Sequence, residues 1–154
     1  MICTLPMNER LAYLAGIFDG EGCVGLWNQK PKGKAPSATL QLRINMITPF
    51  AVQLLYETFG GALFANKPRA GKRRQTFTWV VYSRKAEACL RALLPYLREK
   101  REQTEIALAF VELRSRRSVG NGRSLTAKEV AERDAVVQKL KNLKRAEYDP
   151  NTIH

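Results

Sequence analysis

Histidine is almost missing from this chain. Among 154 residues there is one, His154, at the last position. That excludes serine–histidine triads, zinc–histidine sites and the histidine-dependent nuclease motifs, so any hydrolysis must draw on carboxylates, lysine, metal and water. Cysteine is scarce as well: Cys3, Cys23 and Cys89 form no CxxC pair, and neither a disulfide framework nor a zinc finger is indicated. No apolar run approaches the roughly 18 residues a spanning helix needs, and no signal-peptide pattern opens the chain. An intracellular, reducing setting is expected, either a prokaryotic or phage-host cytoplasm or an organelle. Acids are outnumbered, 14 against 26 Lys and Arg, which gives a net charge of +12 and a pI near 10.0. That balance points to a polyanion as partner. A merely soluble basic domain and an acidic membrane surface are the rivals, and nucleic acid leads them; no membrane and no small-molecule substrate is expected.

What is present suffices for one domain. Hydrophobic residues make up 45% and charged residues 26%, ordinary values for a globular chain of this size. A single domain over 1–154 is expected, with its core over about 8–145 and a loose tail over 146–154.

Asn8 is a plausible cap for a first helix through Leu11–Phe18. Cys23–Gln29 reads as a strand, and the Pro/Gly-containing stretch 30–36 as a turn. Thr39–Met46 alternates polar and apolar residues without a slip, as a half-buried strand does. Thr48-Pro49 marks a second helix with Phe50, Leu54, Leu55 and Phe59 on its apolar face, stopped by Gly60-Gly61. A second hairpin follows, Ala62–Asn66 and Arg74–Tyr82 around a basic turn. Residues 84–94 are helical, Pro95 interrupts, and Arg98–Arg116 resumes a helix with Ile106, Phe110 and Leu113 on one side. After a loop at 118–122, Thr126 and Glu129 form a capping box for a last helix carrying Val130, Val137, Leu140 and Leu143. The economical assembly is an α+β fold of mixed αββαββα(α) order, one four-stranded antiparallel sheet backed by helices.

Asp19 and Glu21 stand where carboxylates are least welcome. They close an apolar helix at the negative end of its dipole, where each anion costs a few tenths to about 1 kcal/mol. A divalent cation bound there would reverse the local electrostatics and make both acids favourable.

Leu14-Ala15-Gly16-Ile17-Phe18-Asp19-Gly20-Glu21-Gly22 closely resembles the signature of the LAGLIDADG homing endonucleases, and Pro95-Tyr96-Leu97-Arg98-Glu99-Lys100 is similar to the family's PYL..K segment. The expected element order matches too, so the resemblance spans most of residues 8–145. It implies that Glu21 is the direct ligand of Mg²⁺, with the backbone carbonyl of Gly20 beside it; Mn²⁺ or Ca²⁺ can substitute for binding. Glu replaces the more usual Asp and reaches one methylene further. Asp19 resembles the first acid of the motif, which caps or braces more often than it binds metal; a local helix-end acid is the equal alternative. Lys100 matches a lysine near the scissile phosphate, against the plainer reading of a solvated helix-end lysine. Some homodimeric relatives place a polar residue near the end of the second strand to organise water. Here Met46 aligns there with Asn45 adjacent, so either Asn45 serves or the water network differs.

One copy of the motif implies a homodimer. Ala15 and Gly16 on a bulky helix would let a second backbone approach, unless they simply pack under the chain's own sheet.

The resemblance also assigns the sheet to double-stranded DNA. Thr39, Gln41, Arg43 and Asn45 share one face of the second strand, with Leu40, Leu42, Ile44 and Met46 packed on the helices. Arg43 can take guanine bidentately and Gln41 adenine. On the first strand Trp27 and Gln29 face DNA, although core packing is an even alternative for Trp27. Arg74, Thr76 and Thr78 are outward on the last strand if polar alternation rules; a one-residue slip would exchange the faces. Lys32 and Lys34 in one turn, and Lys67, Arg69, Lys72, Arg73 and Arg74 in the other, are expected at corresponding ends of one sheet, which argues for phosphate contacts over merely solvated loops. A strand of about eight residues spans some eight base pairs, so two subunits would cover on the order of twenty, near-palindromically. The expected function is a sequence-specific, metal-dependent double-strand endonuclease acting in intron or intein homing. An RNA-binding intron maturase and a non-cutting DNA-binding regulator are the alternatives on the same fold.

Overall fold

Periodicity decides which face each strand buries, and the computed structural model follows it closely. It describes residues 4–29, 37–68, 70–71, 74–115 and 125–147. The elements run α1 (Met7–Glu21), β1 (Gly22–Gln29), β2 (Ser37–Met46), α2 (Phe50–Phe59), β3 (Ala62–Asn66), β4 (Thr76–Tyr82), α3 (Ser83–Leu93), a 3₁₀ turn over Leu94–Tyr96, α4 (Arg101–Ser115) and α5 (Ala127–Glu147). The strands form one antiparallel sheet in the order β1-β2-β4-β3. The α+β order read from the sequence is therefore the observed one.

Val24 and Leu26 of β1, Leu40, Leu42 and Ile44 of β2, and Trp79 and Val81 of β4 all point to one side. There they pack with Leu14 and Phe18 of α1, Val52 and Leu55 of α2, Leu90 and Leu93 of α3, Phe110 of α4 and Leu140 of α5. Helices cover this face and leave the other open. Polar alternation thus sets the register of β4. Its Trp79 is wholly buried, and the indole N–H donates to the Gly60 carbonyl at 2.8 Å, tying the strand to the end of α2. Gly60 and Gly61 have φ of +70° and +99°, and a Cβ on Gly61 would lie 2.5 Å from the Val80 carbonyl oxygen. Only glycine allows this stop.

The last helix begins as expected: Glu129 N–H donates to the Thr126 hydroxyl at 3.2 Å, and Thr126 N–H to the Glu129 carboxylate at 2.7 Å. α5 then packs on α4 and reaches the free edge of β1, where the Lys144 ammonium donates to the Val24 carbonyl and contacts Cys23 Sγ at 3.5 Å. A covered edge is protected from unwanted strand pairing.

Five expectations need correction. Pro6, not Asn8, precedes α1; its preset φ of −51° starts the helix, and its carbonyl accepts from Arg10 N–H at 3.0 Å. Phe50 is 44% exposed, and Ala51, Val52, Leu54 and Leu55 form the buried face of α2. β4 begins at Thr76, leaving Arg74 in the turn. α4 starts at Arg101 rather than Arg98; the Arg98 and Lys100 N–H groups in the turn before it donate to the Asp19 carboxylate of α1. The expected tail begins inside a helix: residues 146–147 still belong to α5, and Glu147 accepts from Gln103 of α4. The loop at 118–122 and residues 148–154 lie outside the described residues.

Candidate metal site and nucleic-acid face

The end of α1 gathers three unlike functions within three residues. α1 runs through Glu21 and has no basic residue in its last turn. Its last i→i−4 bond runs from the Gly22 N–H to the Phe18 oxygen; the carbonyls beyond lack intrahelical partners, and the Asp19 oxygen is met from outside by the Lys100 ammonium at 2.6 Å. Lys100 thus places its charge where the helix dipole wants a cation. The Asp19 carboxylate accepts from Arg98 N–H at 2.8 Å and Lys100 N–H at 3.0 Å. This braces the motif helix against the turn that leads into α4. Asp19 is a bracing acid.

Glu21 is exposed, as is Gly20 before it. With Asp19 committed, the helix end presents the Glu21 carboxylate together with the carbonyls of Gly20 and Glu21. These are hard oxygen donors, the set that suits Mg²⁺ held by one or two carboxylates with water and phosphate. Among the described residues no group of three or more His, Cys, Asp or Glu side chains comes together.

The small residues of α1 divide between two faces. Ala15 is fully buried in the chain's own core, which corrects its placement at a second chain. Gly16 is exposed, and with Ala12 and Gly20 it makes a stripe at four-residue spacing. A Cβ on Gly16 or Gly20 would meet nothing within 4 Å. Beside the stripe, the exposed Tyr13 ring meets Phe50 edge-on, with centroids 6.2 Å apart.

The open face of the sheet adjoins this end. In register across it lie Cys23, Arg43, Val80 and Ala62, then Asn45, Thr78 and Phe64. Arg43 and Asn45 are exposed, Thr39, Gln41 and Thr76 half-buried. Trp27 is 62% exposed, which settles it as an open-face residue. Asn45, not Met46, points outward; Met46 packs against the core. Thr78 is the exception. Sitting on an interior strand between Asn45 and Phe64, it is 4% exposed, and its hydroxyl accepts from Asn66 Nδ2 at 2.7 Å. It is removed from the contact set. The Gln29 side chain, Lys32, Lys34, Arg69, Lys72 and Arg73 lie outside the described residues, whereas Lys67 and Arg74 are exposed.

The two basic turns do not share an end of the sheet. Gln29 and Ser37 flank one turn, at the far ends of β1 and β2; Asn66 and Thr76 flank the other, beyond Met46 and close to the Glu21 end. Antiparallel pairing of β2 with β4 imposes this, since β3 and β4 must then turn where β2 finishes. Sequence reasoning also missed Phe64, Asn66 and Tyr82 as open-face residues. Continuing the alternation Thr76, Thr78 to Val80 and Tyr82 would have found the last.

No family model and no curated protein matches the sequence. Solved structures do. The archaeal intron-encoded homing endonuclease I-Vdi141I, complexed with DNA, is 14% identical with a TM-score of 0.69, over 89% of this chain and 85% of that one. The homing endonuclease I-CvuI with its target is 19% identical with a TM-score of 0.60, over 88% and 96%. The LAGLIDADG homing endonuclease I-LtrWI bound to target DNA is 16% identical with a TM-score of 0.66, over 90% of this chain but 45% of its own. The chain has the LAGLIDADG homing endonuclease fold. It carries one copy of the motif for which that fold is named, over Leu14–Gly22.

Proposed function

We propose that this chain is a site-specific, Mg²⁺-dependent double-strand DNA endonuclease of the homing type, acting as a homodimer. The observation that carries the reading is the exposed Glu21 carboxylate at the anionic end of α1, beside an open sheet face bearing Arg43, Gln41 and Asn45 on a chain of net charge +12. Glu21 and the Gly20 carbonyl would hold the metal, which when bound supplies an acidified water and a charge sink for the leaving oxygen. Lys100 has spent one donor on Asp19 and keeps two for a phosphate oxygen. Asn45 can orient water from the outer face. A second copy would pack on the Ala12–Gly16–Gly20 stripe, bringing two Glu21 side chains together. The likeness to about half of I-LtrWI supports a two-unit assembly.

A cleavage selection from a randomised duplex library tests this. The expected product is one near-palindromic site of roughly twenty base pairs, cut with Mg²⁺ and uncut after chelation. An unenriched library, or equal cutting in a chelator, would overturn the reading.

Arg43 stands at the middle of the open face, so Arg43→Ala is predicted to weaken binding by about 1–3 kcal/mol and relax choice at one base pair per half-site. Uniform weakening across all sequences would instead make Arg43 a phosphate contact.

A further inference from the structure

Tyr82 holds the last outward position of β4, directly across from Gln41 on β2. It is 52% exposed, and the Gln41 amide Nε2 donates to its phenol oxygen at 3.2 Å. The backbone beyond it is unusual. Ser83 has φ of +52° and is the one positive-φ residue other than glycine among the described residues. It begins α3 immediately after the extended Tyr82, at φ −127° and ψ 158°. A left-handed serine is disfavoured, and such strain persists where surrounding structure over-determines it. Here it lets the chain leave the sheet for a helix without a loop, so that Tyr82 remains in pleat register with its ring on the open face.

The direction of the hydrogen bond has a chemical consequence. A phenol oxygen that accepts from Gln41 has its own proton free to point elsewhere. That proton is not spent on the amide oxygen, so Gln41 keeps two groups available side by side: its oxygen as acceptor and its second N–H as donor. An amide offering one acceptor and one donor side by side matches the N6 and N7 edge of adenine. A lone glutamine on a strand would rotate freely about its side-chain torsions and lose that freedom on binding; one held across the strands loses less.

We propose that Tyr82 is a specificity-positioning residue, which fixes the Gln41 amide for adenine. This rests on the endonuclease reading and deepens it. Val80, between Arg43 and Ala62 in register, separates the pair from the Asn45 row, so the Tyr82 effect falls at its own base-pair position. It does not act through the metal.

The test is the same library selection run on the wild type, Tyr82→Phe, Gln41→Ala and the double variant, scoring preference at every position. Both side chains are on the open face, and the phenylalanine variant keeps the ring, so folding is expected to be unchanged by thermal melt. With enzyme saturating, Tyr82→Phe should cut the preferred site within about twofold of the wild-type rate, while in competition it loses three- to tenfold of its preference at one position per half-site, about 0.7–1.4 kcal/mol. Gln41→Ala should lose more at that position, and the double variant should match Gln41→Ala alone, because positioning has no effect without the group positioned. Unchanged preference in Tyr82→Phe, or losses that simply add, overturns the positioning role while the endonuclease reading stands. A wild type with no sequence preference defeats that reading and the Tyr82 role with it.

Discussion

Glu21→Gln is expected to abolish cutting while sparing both the fold and DNA binding. The amide keeps the shape of the side chain but loses the charge a hard divalent cation requires. Metal stabilisation of the transition state is worth several kcal/mol, and each ~1.4 kcal/mol is a factor of ten, so a loss on the order of a thousandfold is predicted. Stability should move the other way. An anion at the C-terminal end of α1 opposes the helix dipole, so the variant should melt at the wild-type temperature or slightly above it. Function kept at a cost in stability is common at active sites. Cleavage assays, filter binding in Ca²⁺ and thermal melts together decide the matter. A variant that still cuts removes Glu21 from the mechanism. One that melts early would show that the residue serves the fold instead.

How much of this was legible from residues alone depends on the range of the forces involved. β2 was readable from Thr39 on, two residues after its start at Ser37, since Thr39–Met46 repeats with the period of a pleat and has one buried face. The same rule oriented β4, where Phe77, Trp79 and Val81 outweigh the competing slip by one. Gly60-Gly61 and the Thr126–Glu129 box were readable because caps are local hydrogen-bonding problems. Phe50 misled because hydrophobicity does not distinguish a core from an exposed patch; its ring lies against Tyr13, on the side of α1 that faces away from the core. Ala15 and Gly16 are adjacent in sequence but about 100° apart around a helix of 3.6 residues per turn, and the edge of the buried face falls between them. The placement of the basic turns failed for a topological reason. Composition marks a turn, but only the pairing of β2 with β4 says at which end it lies. Glu21 and Lys100 were found by motif, and their common location was not visible from any spacing, for 79 residues separate them in the chain.

The start of α4 was misread for the same reason, and its cause makes the second large prediction. The turn Arg98–Lys100 ahead of α4 is held against α1, because Asp19 accepts from the N–H groups of Arg98 and Lys100 as an outside cap does. The carboxylate thereby serves two helices at once, lying in the last turn of α1 and at the positive N-terminal end of α4. The first α4 bond runs from Thr104 N–H to the Lys100 oxygen at 2.9 Å, so Lys100 is the hinge of the junction. Asp19→Ala removes both acceptors. Hydrogen bonds to a charged group contribute about 1.5–3 kcal/mol each, but water can reach the exposed Arg98 bond and replace part of it. A net loss of about 3 kcal/mol is expected, a fall of roughly 6–12 °C in Tm for a chain of this length. Cutting should fall as well, because the Lys100 backbone loses its anchor near Glu21. Asp19→Ala and Lys100→Ala should then be non-additive in stability, since both act on one junction. A thermal melt and a double-mutant cycle measure these effects. An Asp19→Ala protein that melts with the wild type would mean that the two N–H groups find water as readily as carboxylate, and that the junction holds without the motif's first acid.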